Sequence, residues 1–152
     1  MILVAGPTGS GKTTTIYSLL KLLNSDKRKI ITVEDPVEYK IQNIQQIAVD
    51  NKIGLTFNSI LKNILRQDPD VLLIGEIREE ESLNIALQAS LTGHLVISSI
   101  HSNSALQTIS RLVDLKADKF LLSTSLKYIL SQRLVLSYCK SCDNKGCEKC
   151  NF

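Results

Sequence analysis

A glycine-rich segment near the start of the 152-residue sequence has the residue types and spacing needed to bind phosphate groups. Glycine lets the backbone turn where side chains would clash, so that successive N–H groups can point at phosphate oxygens. A helix that begins at the end of such a loop adds the favourable field of its N-terminus. The segment matches the Walker A pattern, and the predicted nucleotide-binding residues are Gly6, Pro7, Thr8, Gly9, Ser10, Gly11, Lys12, Thr13 and Thr14.

Two residues of this segment have distinct expected roles. Lys12 should reach the β- and γ-phosphates of a nucleotide, and the hydroxyl group of Thr13 should bind Mg²⁺. The alternative is a glycine-rich connection that binds nothing, and the strand and helix predicted on either side of it argue against that alternative. The motif alone predicts nucleotide binding without separating a motor from a kinase or a switch GTPase.

Acidic residues follow two apolar runs. Glu34 and Asp35 come after one run, and Glu76 comes after another. A nucleotide hydrolase with a Walker A loop needs a carboxylate near Mg²⁺ and often a second one that orients the attacking water. In the usual Walker B pattern an aspartate precedes the glutamate, whereas here Gly75 occupies the aspartate position. We therefore predict that Glu34 helps to hold Mg²⁺ and that Glu76 is the catalytic base. Helix capping or ion pairing is the alternative for both.

The four cysteines are crowded near the C-terminal end, and none occurs elsewhere. Such crowding favours a local metal site over a disulfide framework. They form two Cys-x-x-Cys pairs, Cys139 with Cys142 and Cys147 with Cys150. Four thiolates suit tetrahedral Zn²⁺ in a closed, structural site. An iron–sulfur cluster and free reduced thiols are the alternatives.

Short apolar runs alternate with segments of helical period, which is typical of an α/β fold with a mostly parallel sheet flanked by helices. The predicted strands are Ile2–Ala5, Lys29–Val33, Ile44–Val49, Val71–Ile74 and Leu95–Ile100. The predicted helices are Thr13–Leu23, Asn58–Arg66, one that starts around Glu79, one that ends near Leu115, and Lys119–Leu130. An extended stretch is expected over 133–138. We expect a nucleotide-binding core over residues 1–136 and a small, partial four-cysteine element over 137–152.

Composition excludes several classes of protein. Hydrophobic residues make up 43% of the chain, which is enough for one sizeable core. No apolar run approaches the length of a membrane span. The net charge of +3 is spread along the sequence, which gives little support to nucleic-acid binding. Because Met1 leads straight into a predicted core strand, no export signal is indicated, and we expect a truncated domain.

Four sequence blocks together resemble the secretion ATPase family, whose members drive type II secretion, type IV pilus assembly and retraction, and DNA uptake. Their order and spacing span most of the chain. The blocks are the Walker A loop Gly6–Thr15, an aspartate box Ile31–Tyr39, a Walker B block Leu65–Glu79 and a histidine box Thr92–Asn103.

The resemblance implies a RecA-like fold, hydrolysis of ATP with Mg²⁺, and roles for several residues. Glu34 and Glu38 are similar to the acidic members of the aspartate box, and Glu76 is similar to the Walker B glutamate. His101 is similar to the histidine that senses the γ-phosphate, although a histidine after a buried strand is otherwise most often structural. Relatives that act in assembly carry a similar tetracysteine element, which favours assembly or secretion here.

The resemblance also implies partners. These are a homo-hexameric ring, an inner-membrane platform protein and a cytoplasmic recruiting protein, so that the protein would be cytoplasmic and peripherally associated with the inner membrane. Relatives have a preceding domain whose arginines help to complete the site, and we expect slow turnover without it. Two other functions stay open, a nucleotide-binding regulatory fragment and a zinc-dependent nucleic-acid binder. Direct nucleic-acid binding is not expected.

Overall fold

Six strands pair in one sheet in the order β3-β2-β4-β5-β1-β6, and every neighbouring pair is parallel. The computed structural model describes residues 1–139, 141, 142, 145–147 and 149. The strands are β1 Ile2–Ala5, β2 Ile30–Glu34, β3 Gln45–Ala48, β4 Val71–Ile74, β5 Leu95–Ile100 and β6 Tyr128–Ser131. The helices are α1 Lys12–Leu23, α2 Phe57–Ile64, α3 Glu80–Leu91, α4 Ala105–Asp114 and α5 Lys119–Ser125, with short 3₁₀ segments at Asn51–Ile53 and Leu65–Gln67.

Helices cover both faces of the sheet. Successive strand residues point to opposite sides, so both faces carry apolar side chains that must be buried. On one face, Val4, Leu73 and Ile97 pack with Ile16 and Leu20 of α1. On the other face, alternate strand residues pack against α2, α3 and the later helices. The central strands are therefore apolar throughout, as expected for a parallel sheet that is buried on both sides. The predicted α/β class is confirmed.

The helices differ in the hydrogen-bond partners of the backbone N–H groups in their first turn. The N-cap side chains of α2, α4 and α5 accept hydrogen bonds from backbone N–H groups; they are Thr56, Ser104 and Asp118. The N-cap of α1 is Gly11, which has no side chain to make such a bond. The first N–H groups of α1 thus keep their capacity to bind an external acceptor.

One predicted element was wrong. The predicted helix 119–130 ends at Ser125, and Tyr128–Ser131 form the edge strand β6 instead. The free side of β1 accounts for the difference, because Ile2 and Ala5 pair in parallel with Tyr128 and Ser131. Tertiary pairing here overrides a local helical pattern. The extended stretch expected over 133–138 follows this strand but forms no strand itself.

No helix in the described part of the chain has the combination of length and apolar character that crossing a bilayer requires.

Candidate functional site

The residues predicted to bind or hydrolyse a nucleotide lie at one edge of the sheet. Because all six strands are parallel, the segments that follow their carboxyl ends lie along the same edge. A cavity of about 1020 Å³ opens there. Its lining includes the glycine-rich loop after β1, Glu34 at the end of β2, Glu76 after β4 and His101 after β5. His94 precedes β5 and lies at the opposite edge, outside this cavity.

The glycine-rich loop wraps the start of α1. Residues from Thr8 to Thr14 line the cavity, whereas Gly6 and Pro7 lie at the base of the loop. Gly11 has a φ of 85°, a left-handed conformation that suits glycine and lets the chain enter the helix. Ser10 is buried, while Thr13 and Thr14 are exposed, so the Thr13 hydroxyl can reach a ligand.

The Lys12 ammonium group is held by carbonyl groups of its own loop. Its Nζ donates to Gly6 O and Pro7 O, and both distances are 2.9 Å. Removal from water lowers the pKa of Lys12, and the nearby Glu76 carboxylate opposes that shift. Lys12 and Glu76 both line the cavity.

Glu76 projects into the cavity between two basic groups. Its Oε1 lies 3.0 Å from His101 Nε2, and its Oε2 lies 2.6 Å from Arg78 Nε. The Glu76 side chain is 18% exposed, whereas those of His101 and Arg78 are 49% and 68% exposed. Glu76 is thus reachable from the cavity while its carboxylate orientation is fixed.

The turn that carries Glu76 is tied to β5. Ser99 Oγ donates to Gly75 O at 2.7 Å, and Ile77 N donates to Ser99 O at 3.0 Å. These bonds hold the two residues on either side of Glu76.

Gly75 occupies the position at which an aspartate is usual, and its surroundings give a reason for the glycine. Its N–H donates to Val33 O at 2.8 Å, which brings the turn against the end of β2. A Cβ at this position would lie 3.0 Å from Val33 O and 3.3 Å from Glu34 Cα. Close approach of β2 and β4 therefore makes a side chain at this position tight, and an aspartate would fit only if the end of β2 shifted by a few tenths of an ångström.

Glu34 is buried, and three side chains donate to its carboxylate. They are Tyr17 through its hydroxyl, Thr32 Oγ1 at 2.6 Å and Gln46 Nε2 at 3.3 Å. Glu34 is only 4% exposed, so these donors replace water around the charge. None of these three donors was predicted from the sequence.

Tyr17 connects the helix of the phosphate loop to the acidic segment. Its hydroxyl also accepts from Glu38 N at 3.3 Å, and its ring packs edge-on against Tyr39. Burial and the hydrogen bond to Glu34 raise the pKa of Tyr17, so its hydroxyl stays a donor. A signal for this contact was available, because a tyrosine in the buried stripe of a helix needs a partner for its O–H.

Three cysteine sulfurs converge near the C-terminal end. The Sγ atoms of Cys139, Cys142 and Cys147 all lie within 4.8 Å of one another. The backbone supports this arrangement, because Cys142 N donates to Cys139 O at 3.3 Å. Three soft ligands at this separation fit a thiolate-bound metal such as Zn²⁺. The fourth predicted ligand, Cys150, lies outside the described residues.

Comparison with known proteins identifies the family. A family model described as Type II/IV secretion system protein matches residues 1–152. The chain belongs to this family. Type II secretion system protein E of Dickeya dadantii (strain 3937) is 51% identical over 175 aligned residues, which cover 100% of the chain and 35% of the relative. Type II secretion system ATPase E of Vibrio cholerae is 53% identical, with 93% of the chain and 28% of the relative covered. The chain thus spans about a third of the length of such relatives.

Solved structures of family ATPases share the fold. The pilus retraction motor PilT with bound ADP has a TM-score of 0.77 and 42% identity, covering 88% of the chain and 42% of PilT. The ATPase DotB of Legionella pneumophila has a TM-score of 0.75 and 30% identity, covering 88% of the chain and 40% of DotB. The expected secretion ATPase membership is confirmed.

The contact between Tyr17 and Glu34 gives a stability prediction. Tyr17→Phe keeps the ring but removes a donor from a buried carboxylate, so the free energy of unfolding should fall by about 2 kcal/mol. Urea denaturation measures this loss. Tyr39→Phe is the matched control, since Tyr39 is half exposed, and it should change the unfolding free energy little. Equal losses in the two variants would contradict the role of the Tyr17 hydroxyl.

Proposed function

We propose that this chain binds and hydrolyses ATP, and that hydrolysis powers assembly of a type II secretion pseudopilus, a type IV pilus or a DNA-uptake apparatus. The observation that carries the proposal is the convergence of Lys12 and Glu76 on one cavity, beside the uncapped N-terminus of α1. The bound ADP of PilT and the names of the relatives support the choice of nucleotide and of machinery.

Nucleotide binding would use the backbone of the loop and the side chain of Lys12. The loop N–H groups and the start of α1 provide donors and a positive field for phosphate oxygens. Lys12 would exchange its two carbonyl acceptors for oxygens of the β- and γ-phosphates. Thr13 would hold Mg²⁺, which when bound neutralises phosphate charge.

Glu76 would activate the attacking water as the general base. Its carboxylate is reachable from the cavity, so it can accept a proton from water beside the γ-phosphate. His101 and Arg78 bind its two oxygens and keep the carboxylate oriented. His101 would therefore respond, through Glu76, to a change at the γ-phosphate.

Glu34 would serve as a fixed negative charge on the Mg²⁺ side of the site. Its three donors hold the carboxylate in place. This role suits a site in which Gly75 supplies no aspartate. Glu38, which also lines the cavity, would add a second negative charge nearby.

The C-terminal cysteines would bind a structural Zn²⁺. We propose Cys139, Cys142, Cys147 and Cys150 as its ligands, with the sulfur convergence of the first three as support. We keep the division into an ATPase core over 1–136 and a cysteine element over 137–152.

In the whole protein, we propose that six copies form a ring. The ring would act through an inner-membrane platform protein and a cytoplasmic recruiting protein, on the cytoplasmic side of the inner membrane. Membership in a secretion family supports these assignments. Direct nucleic-acid binding is not part of the proposal.

Two substitutions separate binding from hydrolysis. Lys12→Ala should weaken ATP binding at least tenfold, because the phosphates lose their cation. Glu76→Gln should bind ATP with nearly unchanged affinity but release phosphate about 100-fold more slowly, since a general base contributes about that factor or more. Fluorescent-nucleotide titration and phosphate release measure the two effects.

Matched surface changes serve as controls for these variants. Lys27→Ala and Glu80→Gln remove a lysine charge and a glutamate charge at exposed positions and should leave both readouts unchanged. Phosphate release that is unaffected by Glu76→Gln would reject the assigned base, and would favour a nucleotide-binding regulatory role.

Metal content tests the cysteine assignment. The purified protein should contain about one zinc per chain by elemental analysis, and Cys142→Ser should lower zinc retention during dialysis against a chelator. Ser141→Ala, at the neighbouring exposed position, should retain zinc as the unchanged protein does. Zinc-free protein with all thiols open to a thiol reagent would contradict the assignment, and iron in place of zinc would correct the metal.

A further inference from the structure

The end of β6 lies directly against the glycine-rich loop. Ser131 of β6 pairs with Ala5 of β1, and the next residue, Gln132, donates its N–H to Ala5 O at 2.9 Å. Ala5 is also the last residue before the loop begins. The chain therefore leaves the sheet at the point where the loop starts, although the two segments are far apart in sequence.

Gln132 occupies space that two loop glycines leave open, with its side chain at Gly11 and its backbone carbonyl at Gly6. Its Nε2 donates to Ser10 O at 2.7 Å. A Cβ on Gly11 would lie 3.1 Å from this Nε2, and a Cβ on Gly6 would lie 2.6 Å from Gln132 O. Gln132 thus contacts the loop at its beginning and at its end.

The bond to Ser10 O sets the direction of one backbone donor. In a trans peptide the C=O and the following N–H point in opposite directions. Because Ser10 O is bound by Gln132, the N–H of Gly11 must point away from Gln132. Without this bond the peptide between Ser10 and Gly11 could rotate, since glycine restricts rotation less than other residues.

We propose that Gln132 is a positioning residue that holds the peptide between Ser10 and Gly11 in the orientation that binds phosphate. It acts through the loop and not by touching the nucleotide. This inference rests on the proposed nucleotide binding. It adds the residue that follows the edge strand β6 to a site otherwise built from the segments after β1, β2, β4 and β5.

ADP titration of Gln132→Met tests the proposal, because methionine has a similar length but no N–H donor. Loss of one hydrogen bond that orders the loop should raise the Kd for ADP about fivefold, the equivalent of about 1 kcal/mol. Gln132→Glu should weaken ADP binding further, because a carboxylate would face Ser10 O. In steady-state hydrolysis, KM should rise more than kcat falls.

Hydrogen exchange provides a readout that a purely structural role would not give. Amides of 6–14 should exchange faster in Gln132→Met, while those of the central strand β4 keep their protection. Gln45→Met is the matched control, since Gln45 is an exposed glutamine on the opposite edge strand, and it should leave ADP affinity unchanged.

The outcomes distinguish this inference from the proposed function. If Lys12→Ala abolishes ADP binding but Gln132→Met leaves the Kd and loop exchange unchanged, Gln132 does not position the loop. If neither variant alters ADP binding, the proposed nucleotide site itself is wrong. Should Gln132→Met fail to fold, Gln132→Asn, which keeps the amide but is too short to reach, should show the same loss of affinity.

Discussion

Parallel pairing of all six strands is the constraint on which the site depends. It places every segment that follows a strand at one edge, so that residues distant in sequence become neighbours without long loops. The loop before Lys12, the buried Glu34 and the turn at Glu76 all arise in this way. The apolar central strands pair their backbone N–H and C=O groups with one another inside the core. The polar and charged side chains of the site therefore lie at the strand ends.

The charges at this edge are held by internal partners. Lys12 is bound by carbonyl groups of its own loop, and Glu76 is bound by His101 and Arg78. A triphosphate would replace the carbonyl acceptors of Lys12 with charged oxygens, which form stronger hydrogen bonds. Because Glu76 already contacts His101, a change at a bound γ-phosphate would, in the proposed mechanism, reach the segment after β5 through one side chain.

Much of the fold was predictable because apolar runs and helical periods are local signals. The first five strands and the loop before Lys12 followed from them. Strand β6 did not, because Tyr128–Ser131 pair with β1 across nearly the whole chain length. The contact of Gln132 with Ser10 O was missed for the same reason. The partners of Glu34 are nearer in sequence, and among them the buried Tyr17 carried a signal, because its O–H needs a partner. The sequence revealed the absence of an aspartate at position 75, but only the packing of β2 on β4 explains it.

The most direct measurement is a structure of the protein with Mg²⁺ and a non-hydrolysable ATP analogue. We expect Lys12 Nζ to leave Gly6 O and Pro7 O and to bind oxygens of the β- and γ-phosphates, with the Glu76 carboxylate facing the terminal phosphate. An analogue bound elsewhere, with Lys12 still on its loop carbonyls and Glu76 directed away from the phosphates, would contradict it.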